Sequence, residues 1–344
     1  MKGNILLILT VSLIFSCLMP EEPEIASLSI MTWNVQNLFD DQSSGQEYEE
    51  YDPHESDWDE AKMRIKLENL KEILLSVDSE LPDIILMQEV ESRQILDLLN
   101  KEYLDGYYSF IDAWDDRESA ICCGILSRYT PQEVHLHFPG SYGKRPLRPV
   151  VEIHFILGKE RLILFNNHWK SRAGGQAGTE EARIRAASVL SGRIRELQNQ
   201  GDVNLVVAGD LNGSWEDFRP GGVQTAQIPV EEMQNVSWQN SLYISLNPED
   251  TFLTTDKTVL FSPWKGMESE GSYFFQNRWM KLDHFFLDRG LVDQSGLEYL
   301  SSRCMAVPLM CDDQGHPAGW ESWRSDGYSD HFPLILFLGN PDTR

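Results

Sequence analysis

Three apolar runs, each leading straight into polar residues, constrain this chain more than anything else in it. Ile84-Ile85-Leu86-Met87 runs into Gln88-Glu89, Leu162-Ile163-Leu164-Phe165 into Asn167-His168, and Leu205-Val206-Val207-Ala208 into Gly209-Asp210-Leu211-Asn212. Short apolar runs bounded in this way read as buried strands. The carboxylates, amides and imidazole therefore fall at strand ends. A core has no use for them there, because burying one such group without a partner costs roughly 1–3 kcal/mol, and more if it is charged. Three further groups follow the same logic: Trp33-Asn34, Asp283-His284 and Ser329-Asp330-His331. One shared site accounts for all six more simply than six separate accidents.

The chain has 344 residues, 41% of them hydrophobic, enough for a large core. No Pro/Gly/Ser-rich linker or internal repeat divides it, so one domain over 28–344 is expected. The N-terminus is set apart. Lys2 precedes an apolar run from Ile5 to Phe15, too short to span a bilayer comfortably, which ends at Ile14-Phe15-Ser16-Cys17. This resembles a bacterial lipoprotein signal over 1–16, with Cys17 lipidated and 17–27 as a tether. The alternative is an ordinary secretory signal that happens to contain a cysteine. The lipoprotein reading implies an exported, cell-envelope, membrane-anchored protein, expected to be a monomer. A net charge of −25 argues against tight non-specific binding to nucleic acid or anionic membranes. A divalent cation or a local cluster of Lys and Arg can still offset that field in one cleft.

Four cysteines remain beyond Cys17. Cys122 and Cys123 sit in a predicted strand and read as small buried residues. Cys304 and Cys311 flank a short loop, and their pairing in an oxidising envelope is left open. Strands are expected at 28–33, 83–87, 107–113, 120–126, 150–155, 162–167, 203–208, 273–275, 283–287 and 332–337. The apolar positions Met63, Leu67, Leu70, Ile73, Leu74 and Val77 predict an amphipathic helix over 59–77, with Asp57 as a cap. Further helices are expected over 92–104 and 180–198, the latter opened by Thr179 and stopped at Gly201. Residues 42–58 and most of 213–256 read as loop. Helices alternate with some strands while other strands run consecutively, which suits two packed sheets with helices outside but leaves other α/β folds open.

The motif set, in this order and ending in Ser329-Asp330-His331-Phe332-Pro333, resembles the endonuclease/exonuclease/phosphatase superfamily, with its pancreatic-deoxyribonuclease-like fold. The resemblance covers about 28–338 and implies a four-layer αββα sandwich of two mixed sheets flanked by helices. It implies a phosphodiester hydrolase using Mg²⁺ or Mn²⁺, held by Glu89, Asn34 and Asp330, since oxygen donors suit these hard ions. Asp210 and Asn212 then take the proton from water and orient it. Asp283 holds His331 and raises its pKa so that the cationic ring stabilises the phosphate oxyanion. His168 contacts the phosphate from the other side. Gln36 departs from the pattern, since some relatives carry an Asp there. His284 should face away and be structural. Glu118 is a candidate support for His168.

On the substrate side, Asn167-His168-Trp169-Lys170-Ser171-Arg172 resembles a stretch of bacterial extracellular nucleases. Lys170 and Arg172, with Arg183 and Arg185, form a candidate basic rim. Arg148, with Arg145 as its rival, is a candidate phosphate contact. Tyr273 and Trp279 are candidates for base stacking, although aromatics near strands usually serve packing. Three functions stay open: a cell-envelope nuclease, a phosphatase or sphingomyelinase-type phosphodiesterase on small or lipid phosphoesters, and a non-catalytic binding lipoprotein.

Overall fold

A computed structural model describes residues 26–77, 80–114, 119–201, 203–236, 238 and 241–340. In chain order its first half runs β1 (Ser27–Leu38), α1 (Glu60–Ser76), β2 (Ile84–Val90), α2 (Arg93–Leu98), β3 (Phe110–Trp114), β4 (Cys122–Ser127), β5 (Glu133–His137), the short pair β6 (Ser141–Tyr142) and β7 (Arg145–Pro146), β8 (Val150–Leu157), β9 (Glu160–His168) and α3 (Gln176–Gln200). The second half runs β10 (Asn204–Asp210), β11 (Gln227–Pro229), β12 (Leu242–Ser245), β13 (Val259–Phe261), β14 (Tyr273–Phe275), β15 (Arg278–Met280), β16 (Asp283–Leu287), β17 (Glu298–Cys304) and β18 (Leu334–Gly339).

Two large mixed sheets form the molecule. One has six strands in the order β17-β18-β1-β2-β4-β3, the other eight in the order β11-β12-β13-β16-β10-β9-β8-β5. Alternation along the strands explains the layering. In β1 and β2, Leu28, Ile30, Ile84 and Leu86 join the core shared with the second sheet. Their neighbours Met31, Trp33, Ile85 and Met87 join a second core with Met63, Leu67, Leu70 and Leu74 of α1. On the far side, Ala187, Leu190 and Ile194 of α3 pack on the eight-stranded sheet. The layers are helix, sheet, sheet, helix, as expected. No helix among the described residues is long and apolar enough to cross a membrane.

Several local expectations shift. The cap of α1 is Asp59, whose carboxylate accepts from the Lys62 N–H; Asp57 instead pairs with the Lys62 ammonium at 2.6 Å. Helix α3 begins at Gln176, and Thr179 lies inside it, donating its hydroxyl to the Gly175 carbonyl. Part of 213–256 forms β11 and β12 at a sheet edge. Cys304 and Cys311 are both free thiols, directed at the carbonyls of Gly271 and Val307 respectively, so the short loop is not closed by a disulfide. Residues 1–25, which hold the predicted signal and Cys17, and Glu118 lie outside the described residues.

Candidate active site

The register of the eight-stranded sheet builds half the site. Asp210 of β10 lies opposite His168 of β9 on one side and Asp283 of β16 on the other. Partners across a ladder point to the same face, so three polar side chains form one rung facing the other sheet. Gly209 makes this approach possible: at φ 122°, a Cβ there would sit 2.0 Å from the Asn167 carbonyl oxygen. Across the gap, Asn34 of β1 pairs with Gln88 of β2. Beyond that pair both strands are irregular, and Glu89 is the extra residue of a bulge, at φ 64°. Bulges re-aim side chains. Here the bulge turns the Glu89 carboxylate into the cleft, where Asn34 and the backbone of Asn37 each donate to it at 3.0 Å.

Buried amides fix the sheets against each other. Gln88, fully buried, donates to Asn166 Oδ1 at 2.8 Å and to Thr32 at 3.1 Å, while Asn166 donates to the Gly124 carbonyl at 3.0 Å. Ser329 then ties β1 to the C-terminal motif, donating to the Asn34 carbonyl at 2.6 Å and accepting from the His331 N–H at 3.1 Å. Gln36 does comparable work. Its side-chain oxygen accepts from the backbone N–H of Trp320 at 2.6 Å and of Asp330 at 3.0 Å, and its own N–H donates to Asn34 Oδ1 at 3.0 Å. The residue that departs from the family pattern thus positions Asn34 and Asp330. Behind it, fully buried Lys66 donates to the Gln36 carbonyl at 2.6 Å. Burial lowers its pKa to about 7, against the pull of Glu89 and Asp330.

The central groups have opposed protonation. Asp210 is buried and its pKa rises to about 7, through desolvation first, with Asp283 and Glu89 adding and His331 opposing. Its oxygens are fixed by donors: Asn212 gives its backbone N–H at 2.8 Å and its amide at 2.9 Å, and Asn34 gives its amide at 3.1 Å. Burial alone would push the His331 pKa down. The Asp283 carboxylate, 2.7 Å from its Nδ1, together with Asp330 and Asp210, drives it well above the usual value. Ser272 holds the same Asp283 oxygen at 2.6 Å. His168 goes the other way: burial, then the charges of Arg148, His331 and Lys170, lower its pKa well below normal. Arg148 donates to its Nε2 at 3.1 Å, so that nitrogen is unprotonated and the ring neutral.

A cavity of about 970 Å³ opens over these groups, lined at its base by Glu89, Asp210, Asn212, Asp330 and His331. Asn34, His168 and Asp283 stand immediately behind that base. Arg172 reaches the wall but is paired with Asp217 at 2.5 Å. Arg148 and Lys170, expected to contact substrate, are not on the wall. Arg148 buttresses His168 and the Trp169 carbonyl, and Lys170 donates to the Ser171 hydroxyl at 3.1 Å. The expected basic rim dissolves further: Arg183 is fully buried against Glu180, and Arg185 pairs with Glu181. His284 is buried and structural, bonded to the Gly213 carbonyl at 2.7 Å and the Trp264 indole.

Sequence reading passed over Arg219 and Arg278, which line the same cavity. It also missed Lys66, for which there was a signal, since a lysine between Met63 and Leu67 interrupts an apolar stripe.

The donor set fits a hard divalent ion. Glu89 has its pKa raised by burial and then by the nearby Asp330, a repulsion that a cation between them would remove. Asp210, Asp283 and His331 also bring ligand atoms within 4.8 Å of one another. The bond between His331 and Asp283 commits that group to proton chemistry, and Glu89, Asp330 and Asn34 are the better holders.

Two sandwiched sheets with an acidic cleft at their strand ends are the architecture of a class of metal-dependent phosphoester hydrolases. The chain belongs to the endonuclease/exonuclease/phosphatase family, whose family profile matches residues 29–340. No curated protein matches it in sequence. Among solved structures it is similar to TDP2 from Caenorhabditis elegans (14% identity, TM-score 0.55, covering 91% of this chain and 74% of that one). It is also similar to a mannosyl-6-phosphatase of Bacteroides thetaiotaomicron (14%, TM-score 0.52, 90% and 99%) and to D. rerio TDP2 complexed with single strand DNA product (16%, TM-score 0.51, 91% and 98%). At these identities the likeness is one of fold.

Proposed function

We propose that this chain is a divalent-metal-dependent phosphodiesterase acting on nucleic acid, held at the cell envelope through a lipidated Cys17. The observation that carries the hydrolase reading is the pair of opposed groups at the cavity base. Asp210, near neutrality and oriented by Asn212 and Asn34, accepts a proton from water. Cationic His331, held by Asp283, offsets charge developing on the phosphate oxygens or returns a proton to the leaving oxygen. Neutral His168, steadied by Arg148, faces the phosphate from the β9 side. Glu89 and Asp330, with Asn34, would hold Mg²⁺ or Mn²⁺, which supplies charge neutralisation to the phosphate.

Two observations support nucleic acid over smaller esters. The cavity is large and open, with cations and aromatic rings on one side. A structure of the same fold, D. rerio TDP2, holds a single strand DNA product. The phosphatase reading draws support from the mannosyl-6-phosphatase of this fold. A substrate panel separates them: supercoiled plasmid, sphingomyelin vesicles, inositol phosphates and mannose 6-phosphate, each with Mg²⁺, Mn²⁺ or EDTA. Metal-dependent plasmid nicking is expected. Phosphate or phosphocholine release without nicking replaces the nuclease reading with a phosphatase or lipid-diesterase one. Inactivity on every substrate points to the binding-lipoprotein alternative.

A further inference from the structure

One wall of the cavity takes no part in the chemistry above. It is the hairpin β14–β15, whose tip residues Gln276 and Asn277 have φ of 49° and 61°, as a two-residue type I′ turn requires. Pairing sets Phe274 opposite Trp279, Phe275 opposite Arg278 and Tyr273 opposite Met280. The hairpin therefore has two faces. On the back, Phe274 and Trp279 meet edge to face at 5.2 Å, Phe274 stacks on His316, and Trp279 stacks on Phe332 at 5.8 Å. This packing fixes the arm. Tyr273, Phe275, Arg278 and Met280 occupy the front, and all four line the cavity.

At its outer end the front face lacks a partner of its own. Phe275 is 51% exposed. Rings step outward from the reacting centre: Tyr273 lies 4.6 Å from the His331 ring, and Phe275 lies 6.3 Å beyond it at 25°. Across the ladder from Phe275, the Arg278 guanidinium has no hydrogen bond or ion pair among the described residues. Arg219, also on the cavity wall, donates only to the carbonyls of Glu216 and Phe218. The arm is joined to the catalytic histidine by backbone: Tyr273 bridges His331, and the Phe332 N–H donates to the Ser272 carbonyl at 2.8 Å. Backbone bonds therefore set the spacing between the rings and His331.

A stepped run of rings beside one unpaired guanidinium and a second bonded only to backbone carbonyls, in a chain of net charge −25, matches a ligand that alternates flat rings with negative charges. We propose that the front face of this hairpin binds the nucleotide next to the scissile phosphate of a single-stranded nucleic acid, Phe275 stacking on its base and Arg278 holding its flanking phosphate. The proposal rests on the nuclease reading and names the part of the site that selects the strand. An arm built for a lipid surface would be apolar at its tip. This tip is Gln276-Asn277 beside Arg278, and Phe275 turns into the cavity.

The test compares full-length, detergent-solubilised wild type, Phe275→Ala, Phe275→Trp and Arg278→Ala. Substrates are a single-stranded oligonucleotide, supercoiled plasmid, bis(4-nitrophenyl) phosphate and sphingomyelin vesicles. Phe275→Ala and Arg278→Ala should each raise KM for the oligonucleotide by about fivefold to a hundredfold with little change in kcat, and leave the small diester unaffected. Phe275→Trp should retain the oligonucleotide KM. Arg278→Ala should flatten the dependence of log KM on log salt by about 0.7. Equal losses on oligonucleotide and small diester, no loss on the oligonucleotide, or a loss confined to vesicles would each overturn the proposal. A wild type that nicks plasmid but cuts no single-stranded oligonucleotide overturns this inference alone, and one that hydrolyses only the small diester overturns the nuclease reading with it. One that hydrolyses no diester overturns the reading beneath it.

Discussion

Asp210 and His331 lie in one buried cluster and are driven in opposite directions. Desolvation dominates for Asp210 and keeps its proton affinity near neutral; for His331 desolvation is outweighed by Asp283, Asp330 and Asp210 together, which keep the ring cationic. The pH dependence follows from these directions. Turnover should rise as Asp210 loses its proton around pH 7 and fall as pH climbs through the raised pKa of His331. In Asp283→Asn that carboxylate is gone and only Asp330 and Asp210 oppose burial of the ring, so the alkaline limb should move to lower pH and kcat should drop. A kcat–pH profile checks this; an unmoved alkaline limb would remove Asp283 from its role. Asp210→Asn and His331→Ala should each lower kcat by more than about 10²-fold, with circular dichroism unchanged. Near-normal turnover in both would displace the site.

At the scale of elements, the site depends on how the two sheets are joined. Gln88 and Asn166 span the gap between them, fully buried. Asn166→Leu should cost roughly 1–3 kcal/mol by removing the buried amide that Gln88 donates to and that bonds the Gly124 carbonyl, measured as a shift in the urea midpoint with unchanged slope. Gly209→Ala should be worse, because its Cβ collides with backbone.

These elements also mark where the sequence was legible. β2, β9 and β10 announce themselves because both faces of each are buried, giving unbroken apolar runs, and their register then gathers His168, Asp210 and Asp283 on one rung. β5 and β17 escaped because they are edge strands with polar positions such as His135, His137, Ser301 and Arg303, and no apolar run. β11 and β13, three residues each, are too short to show any period. Arg148, Lys170, Arg183 and Arg185 were legible only as basic residues close to the motifs. A basic residue near a motif looks free in sequence, and only the fold reveals the carbonyl, hydroxyl or carboxylate that claims it.

At the scale of the whole molecule, an acidic chain carries an acidic cleft, and phosphate is acidic too. On the proposed reading, catalysis on such a substrate needs cation charge at Glu89 and Asp330. Chelation should therefore abolish activity, and a thermal melt should show Mg²⁺ raising Tm in the wild type but not in Glu89→Ala, since an ion that binds only the folded state stabilises it. The proposed lipid anchor makes a separate prediction. Replacing Cys17 should release the protein from membranes with its activity intact, and continued retention would contradict the lipoprotein reading.

The central claim is that Glu89, Asp210 and His331 form one metal-dependent hydrolytic centre. The most direct test follows supercoiled plasmid nicking by wild type and Glu89→Ala across a Mg²⁺ titration with an EDTA control. Metal-dependent nicking in the wild type, lost by more than about 10²-fold in the variant at every Mg²⁺ concentration, is the predicted result. Nicking that survives EDTA, or that Glu89→Ala retains, would contradict it.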